Sequence, residues 1–212
     1  MTAPCCYLRV LIVMVALVAL PVPRAVGQDT SRLTFKARVS DLWLQNGSRA
    51  KNKHRDDCVE VALPGRLDSQ PLAIPLIERK AADWSTPERA LASIRSANTV
   101  GQKEWLVENF TADERPSLRA ELDDPAMVKR SVDYYTTIRK AEITGSAELR
   151  GYTLVFTREE TSAGTVRIVP VTLRKTASGW KQTNALSADE TFDVVWAALR
   201  TARTDGRTLG AC

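Results

Sequence analysis

"GTVRIVPVTLRKTASGWKQTNAL" (residues 164–186) reads as two strands joined by the turn "TASG". Pro170 stands inside the first strand, and the apolar alternation changes phase beside it. Val166 and Ile168 share one face, whereas Val169, Val171 and Leu173 share the other. Side chains alternate strictly along a strand, so a regular strand cannot bury both sets on one side. One inserted residue at 168–169 restores the register, and such a β-bulge bends the strand. Pro170 fits a bulge, where its missing N–H is not needed. A strand covered on both faces also explains the apolar run, but leaves the proline without a reason. In the second strand Trp180, Gln182 and Asn184 share a face.

Upstream, "AEITGSAEL" (141–149) puts Ile143, Gly145, Ala147 and Leu149 on one face, and "YTLVFTRE" (152–159) does the same for Tyr152, Leu154 and Phe156. That makes four antiparallel strands. Before residue 140 the period is helical. "STPERALASIRSAN" offers Ser85 or Thr86 as a cap and Pro87 in the first turn. "QKEWLVENF" follows as a second helix, and Thr111-x-x-Glu114 reads as a capping box for a third. "DDPAMVKRSVDYYTTIRK" begins at Asp124 and Pro125 and carries Val128, Val132, Tyr135 and Ile138 at helical spacing. After the strands, "SADETFDVVWAALRTAR" offers Ser187-x-x-Glu190 as a box and the stripe Phe192, Val195, Trp196 and Leu199. Residues 28–84 read as strands and loops: "LTFKARV", "CVEVAL", then a proline-rich connector ending in a short strand near 74–78.

Residues 1–27 have the pattern of a signal peptide: a short start with Arg9, the eleven-residue apolar run "VLIVMVALVAL", and the small residues Ala25 and Gly27. The run is short of the about 20 residues of a membrane span; an uncleaved anchor is the alternative. Cys5 and Cys6 leave with the peptide. Cleavage leaves 212 − 27 = 185 residues, and the net charge falls from +5 to +3 with Arg9 and Arg24. The expected location is periplasmic or secreted. In an oxidising compartment the two remaining thiols, Cys58 and Cys212, are expected to pair. The charges are interspersed apart from "SRAKNKHR" (48–55), which gives no nucleic-acid stripe.

Helices followed by a bent sheet indicate an α+β class. The order of "STPERALASI", "KEWLVENFTADE", "YYTTIRKAEI", "YTLVF" and "VRIVPVTLRKTASGWKQT" resembles exported bacterial members of the nuclear transport factor 2-like superfamily. The resemblance covers about residues 84–186. It implies a cone: a curved four-stranded antiparallel sheet packed on N-terminal helices, enclosing a pocket. The divisions expected are 28–84 as a preceding β-rich segment, 85–186 as the cone-like domain, 187–205 as an amphipathic helix and 206–212 as a tail.

The chemistry offered is sparse. His54 is the only histidine and reads as a solvated loop residue. No nucleophile elbow or metal-ligand spacing is present, and no cofactor is expected. "HRDD" (54–57) lacks the partners of a kinase loop. Asp123 and Asp124 are explained by capping, and Glu159 and Glu160 are placed in a hairpin turn. Asn46 and Asn109 begin glycosylation sequons that matter only in a eukaryotic secretory pathway. An isomerase-like site needs a carboxylate facing a tyrosine, and the positions read as inward (Ile143, Leu154, Phe156, Val166, Val171) are all apolar. No catalytic set is therefore assigned. The candidate ligand-binding residues are Tyr134, Tyr135, Trp180, Gln182 and Asn184. The function expected is an exported, non-enzymatic binding domain for a small apolar ligand or an envelope protein, with self-association left open and membrane contact only through the signal peptide. The alternative is a small hydrophobic-pocket enzyme of isomerase or cyclase type.

Overall fold

The computed structural model describes residues 31–43, 56–201 and 204–212. The signal-peptide region, His54 and the Asn46 sequon lie outside them. In chain order come β1 (Arg32–Arg38), β2 (Cys58–Ala73), α1 (Pro87–Val100), α2 (Lys103–Glu108), α3 (Arg115–Glu121) and α4 (Pro125–Thr137). Then follow β3 (Ile138–Leu149), β4 (Tyr152–Thr161), β5 (Val166–Thr176), β6 (Gly179–Gln182), α5 (Glu190–Arg200), β7 (Thr204–Asp205) and β8 (Thr208–Gly210).

The α+β class holds, but the four-stranded sheet does not. The described strands form one eight-stranded sheet in the order β6-β5-β4-β3-β2-β1-β8-β7. It is mixed, because β1 and β8 run parallel. The join is β2, 16 residues long. Its first half pairs with β1 from Cys58 to Pro64, and its second half pairs with β3 from Gly65 onward. The sequence divides this strand at its prolines, yet both stand at irregularities. Pro64 is the last residue paired with β1, and Pro71 lies in the register shift between Leu67 and Leu72. The supposed tail is also sheet: α5 stops at Arg200, and β8 lies beside β1.

The bulge expected at 168–169 is absent. β5 stays in register with β4 from Val166 to Leu173. Both of its faces are covered instead, which accounts for the phase change. Val171 and Leu173 pack on the α1 and α4 side with Val155 and Ile143, while Ile168 packs on the α5 side. Pro170 loses no ladder bond. Thr172 turns its carbonyl to Thr183 on the β6 side, at 3.1 Å. Pro170, two residues back, points the same way, beyond the last β6 pairing at Leu173.

Besides the irregularity in β2, bulges lie in β3, where Arg139 and Thr144 are the extra residues opposite β4. Thr144 therefore separates Ile143 from Gly145: Ile143 pairs with Thr157 on the helix side, and Gly145 pairs with Phe156 on the α5 side. The α5 side holds the larger core, with Leu33, Phe35, Leu154, Phe156, Val195 and Leu199. Phe35 meets Phe156 edge-on, ring centres 5.8 Å apart.

Local chemistry sets the helix ends. Thr86 caps α1, with Pro87 next, and Asp124 caps α4. The capping box at Ser187 does not form, because Asp189 Oδ1 accepts from the Phe192 N–H at 3.0 Å. Thr111-x-x-Glu114 is only a turn before α3, and the Glu114 carboxylate accepts from the Asn184 N–H at 2.8 Å. Gly101 ends α1 at φ 67°, and a Cβ there would lie 2.6 Å from Val132 on α4. Cys58 and Cys212 are bonded, with sulfurs 1.99 Å apart, as the thiol count predicts.

Candidate functional site

Three of the five predicted ligand residues meet. Tyr134, Tyr135 and Trp180 pack against one core of Leu91, Ile94, Ile143, Val155 and Leu173, between the sheet and helices α1 and α4. Gln182 borders it through its pairing with Leu173, and its side-chain oxygen is buried without a partner among the described residues. The Gln182 backbone closes the sheet edge, taking the N–H of Thr111 at 3.0 Å and giving its own to Asn109 at 2.8 Å. Asn184 stands apart, exposed, on a shallow cleft with Phe110, Glu114, Leu118 and Glu121.

Glu159 is the residue the sequence hides. It lies in β4, not in a turn, and is only 8% exposed. It shares the helix-facing side of the sheet with Val155 and Thr157. The Tyr134 hydroxyl donates to Glu159 Oε2, and Arg167 Nε, across the strand pair, donates to the same oxygen at 3.0 Å. The Arg167 guanidinium also lies over the Tyr134 ring, 3.9 Å from its centre. Burial pushes the Glu159 carboxyl up to about 7, against the pull of Arg95. The Arg167 contact and the Tyr134 hydroxyl both favour the anion and oppose that rise. Tyr135 is pushed up to about 12 by burial first and the Glu159 charge second.

A carboxylate within reach of a tyrosine is the pair that acid-base chemistry needs. Here the pair is closed. Glu159 is buried, and one of its oxygens already takes two donors. A cleft of about 250 Å³ lies beside it, lined by Tyr134, Thr137, Thr161, Ser162, Thr165 and Arg167, without Glu159. Arg95 is spent on structure, donating to the Ile74 and Ile138 carbonyls. The geometry ties α4 to the sheet.

Two further polar groups are structural. Asn109, 1% exposed, accepts from Trp84 Nε1 at 2.8 Å and from the Ser93 hydroxyl at 2.7 Å. Ser93 in turn accepts from Trp105 Nε1 at 2.8 Å. Asn109, the start of the second sequon, leaves no room in this fold for a glycan on its side chain. Lys181 donates to the Glu108 carbonyl at 2.8 Å and lies 3.6 Å from the Trp84 ring centre. Burial pushes its ammonium down to about 8.

An accessible apolar cleft lies elsewhere. Helix α5 turns Val194, Val195, Ala198 and Leu199 into the sheet. Its outer flank carries Phe192 and Trp196, ring centres 5.9 Å apart. Trp43, 73% exposed, stands beside them, held by its N–H on Asp193 Oδ1 at 2.7 Å. With Ser187 and Arg200 these residues line a cleft of about 400 Å³. The sequence showed the α5 stripe but not Trp43, whose place depends on a contact 150 residues away.

Among the described residues no group of three or more His, Cys, Asp or Glu side chains gathers to hold a metal. No helix among them is long and apolar enough to cross a membrane. No family model, curated protein or solved structure matches the chain. The resemblance to the nuclear transport factor 2-like superfamily therefore has no match to support it.

Proposed function

We propose that this chain is an exported, non-enzymatic binding domain, periplasmic or secreted, which takes its ligand on the outer flank of α5. The Cys58–Cys212 disulfide supports an oxidising compartment. One contrast carries the binding reading. The interior carboxylate is buried and already bonded, whereas an apolar cleft of about 400 Å³ walled by Trp43, Phe192 and Trp196 is open at the surface. That volume falls within the range of small-molecule sites.

Native mass spectrometry of protein purified from an oxidising compartment tests this. A bound species should survive in Glu159→Gln and be lost in Trp196→Asp. Loss in Glu159→Gln with retention in Trp196→Asp would move the site to the interior and overturn the proposal. That second outcome suits the alternative reading, an acid-base enzyme, which the Tyr134–Glu159 hydrogen bond favours.

A further inference from the structure

Phe192, Trp196 and Arg200 are spaced by four residues on α5, so they lie along one flank of the helix. At 1.5 Å per residue, the row from Phe192 to Arg200 is about 12 Å long. Trp43 faces this row and makes a trough of it. Trp43, Phe192 and Trp196 form its apolar walls, with Ser187 beside the start of the helix, Asp193 one turn in and Arg200 at the finish.

The trough is lined by one acid, Asp193, and one base, Arg200, and only the base is exposed. Asp193 is 6% exposed, and its carboxylate holds the Trp43 N–H. Arg200 is exposed and has no carboxylate partner among the described residues. It sits at the carboxyl end of α5, where the helix contributes roughly half a negative charge. The full guanidinium charge exceeds that, so this end of the trough favours an anion.

We infer that the trough binds an unbranched medium-chain carboxylate, with its chain on Trp43, Phe192 and Trp196 and its carboxylate on Arg200. A planar guanidinium matches a carboxylate with two parallel hydrogen bonds. The rings shield the chain from water, which favours binding in proportion to the apolar surface removed. The inference rests on the binding reading above and names the ligand class for that cleft.

Decanoate is the probe, titrated against tryptophan fluorescence and by calorimetry, with decanol and decylamine as comparators. Saturable 1:1 binding of decanoate is expected, with decanol weaker and decylamine weakest. Arg200→Glu should weaken decanoate by about tenfold or more and leave decanol unchanged. Trp43→Ala should weaken both. Arg200 and Trp43 are exposed, so neither change should unfold the protein, and unchanged melting temperatures check this.

Equal affinity for decanol and decanoate, insensitivity to Arg200→Glu, or displacement of decanoate by an apolar peptide that binds more tightly would each overturn the assignment. Extraction and mass analysis of the wild-type protein separates this failure from failure of the binding reading. A small molecule retained equally by Trp43→Ala leaves a binding domain with a different site. No retained molecule and no decanoate binding end both.

Discussion

Glu159 has a buried carboxyl raised from 4.5 to about 7. Between those values the folded chain binds more protons than the unfolded one, so stability falls as pH rises. The contribution is fully present below 4.5 and is lost as pH passes through about 7. The groups facing it are Arg95, Arg167, Tyr134 and Tyr135. Glu159→Gln should therefore gain on the wild type as pH rises from about 5 to about 8, measured as the difference in melting temperature at each pH. A difference that stays flat sinks the raised titration. Tyr134→Phe removes one donor from Oε2 and should cost about 1–2 kcal/mol in urea unfolding. The sequence hid this residue for a physical reason. Leu154, Val155 and Phe156 are consecutive and all buried, so either parity of β4 could face the helices. With Leu154 and Phe156 taken as the inward pair and Glu159 and Glu160 placed in a hairpin turn, Glu159 goes to solvent, whereas β4 in fact runs on to Thr161.

At the scale of elements, whatever depends on nearby residues was legible. Thr86 and Pro87 start α1, Asp124 and Pro125 start α4, and Gly101 ends α1, all within a few residues of their signals. Whatever depends on distant partners was not. The β3 bulge at Thr144 is set by pairing with both β2 and β4. The proline in β5 looked like a bulge because nothing local says that β6 stops short of it. Gly101 joins the two scales. It is left-handed at φ 67° and meets Val132 and Val128 of α4. Gly101→Ala should cost about 1–3 kcal/mol, from the backbone conformation and from pushing α4 outward. Hydrogen exchange should then quicken in α4 ahead of α1, because no α4 residue is fully buried while α1 buries seven. Equal quickening in both helices would contradict that order. The sheet edge at β6 depends on Asn109 in the same way. Asn109→Ala strands the half-buried Trp84 and the buried Ser93 donors and should cost about 2–4 kcal/mol in the same urea assay.

For the whole molecule, the α+β class and the disulfide could be read from the sequence, because periodicity and a count of two thiols are enough. The continuity of the sheet could not, because it rests on β2 serving two partners and on the parallel pairing of β1 with β8. The disulfide acts on this long-range part. Cys58 opens β2, Cys212 follows β8, and the bridge spans 154 positions. In the chain-entropy account, closing so long a loop restricts the unfolded chain by the equivalent of about 5 kcal/mol, and measured effects usually fall below that figure. The Cys58→Ser, Cys212→Ser double variant should lose about 2–5 kcal/mol in urea unfolding. Added reductant should move the wild type to the same midpoint. The loss should also be uneven. β8 pairs with β1 over three positions and β7 pairs only with β8, so amide protection should fall first there and in the adjoining end of α5. If the double variant and the wild type share one midpoint, the bridge contributes nothing and β8 is held by its ladder and by α5 alone.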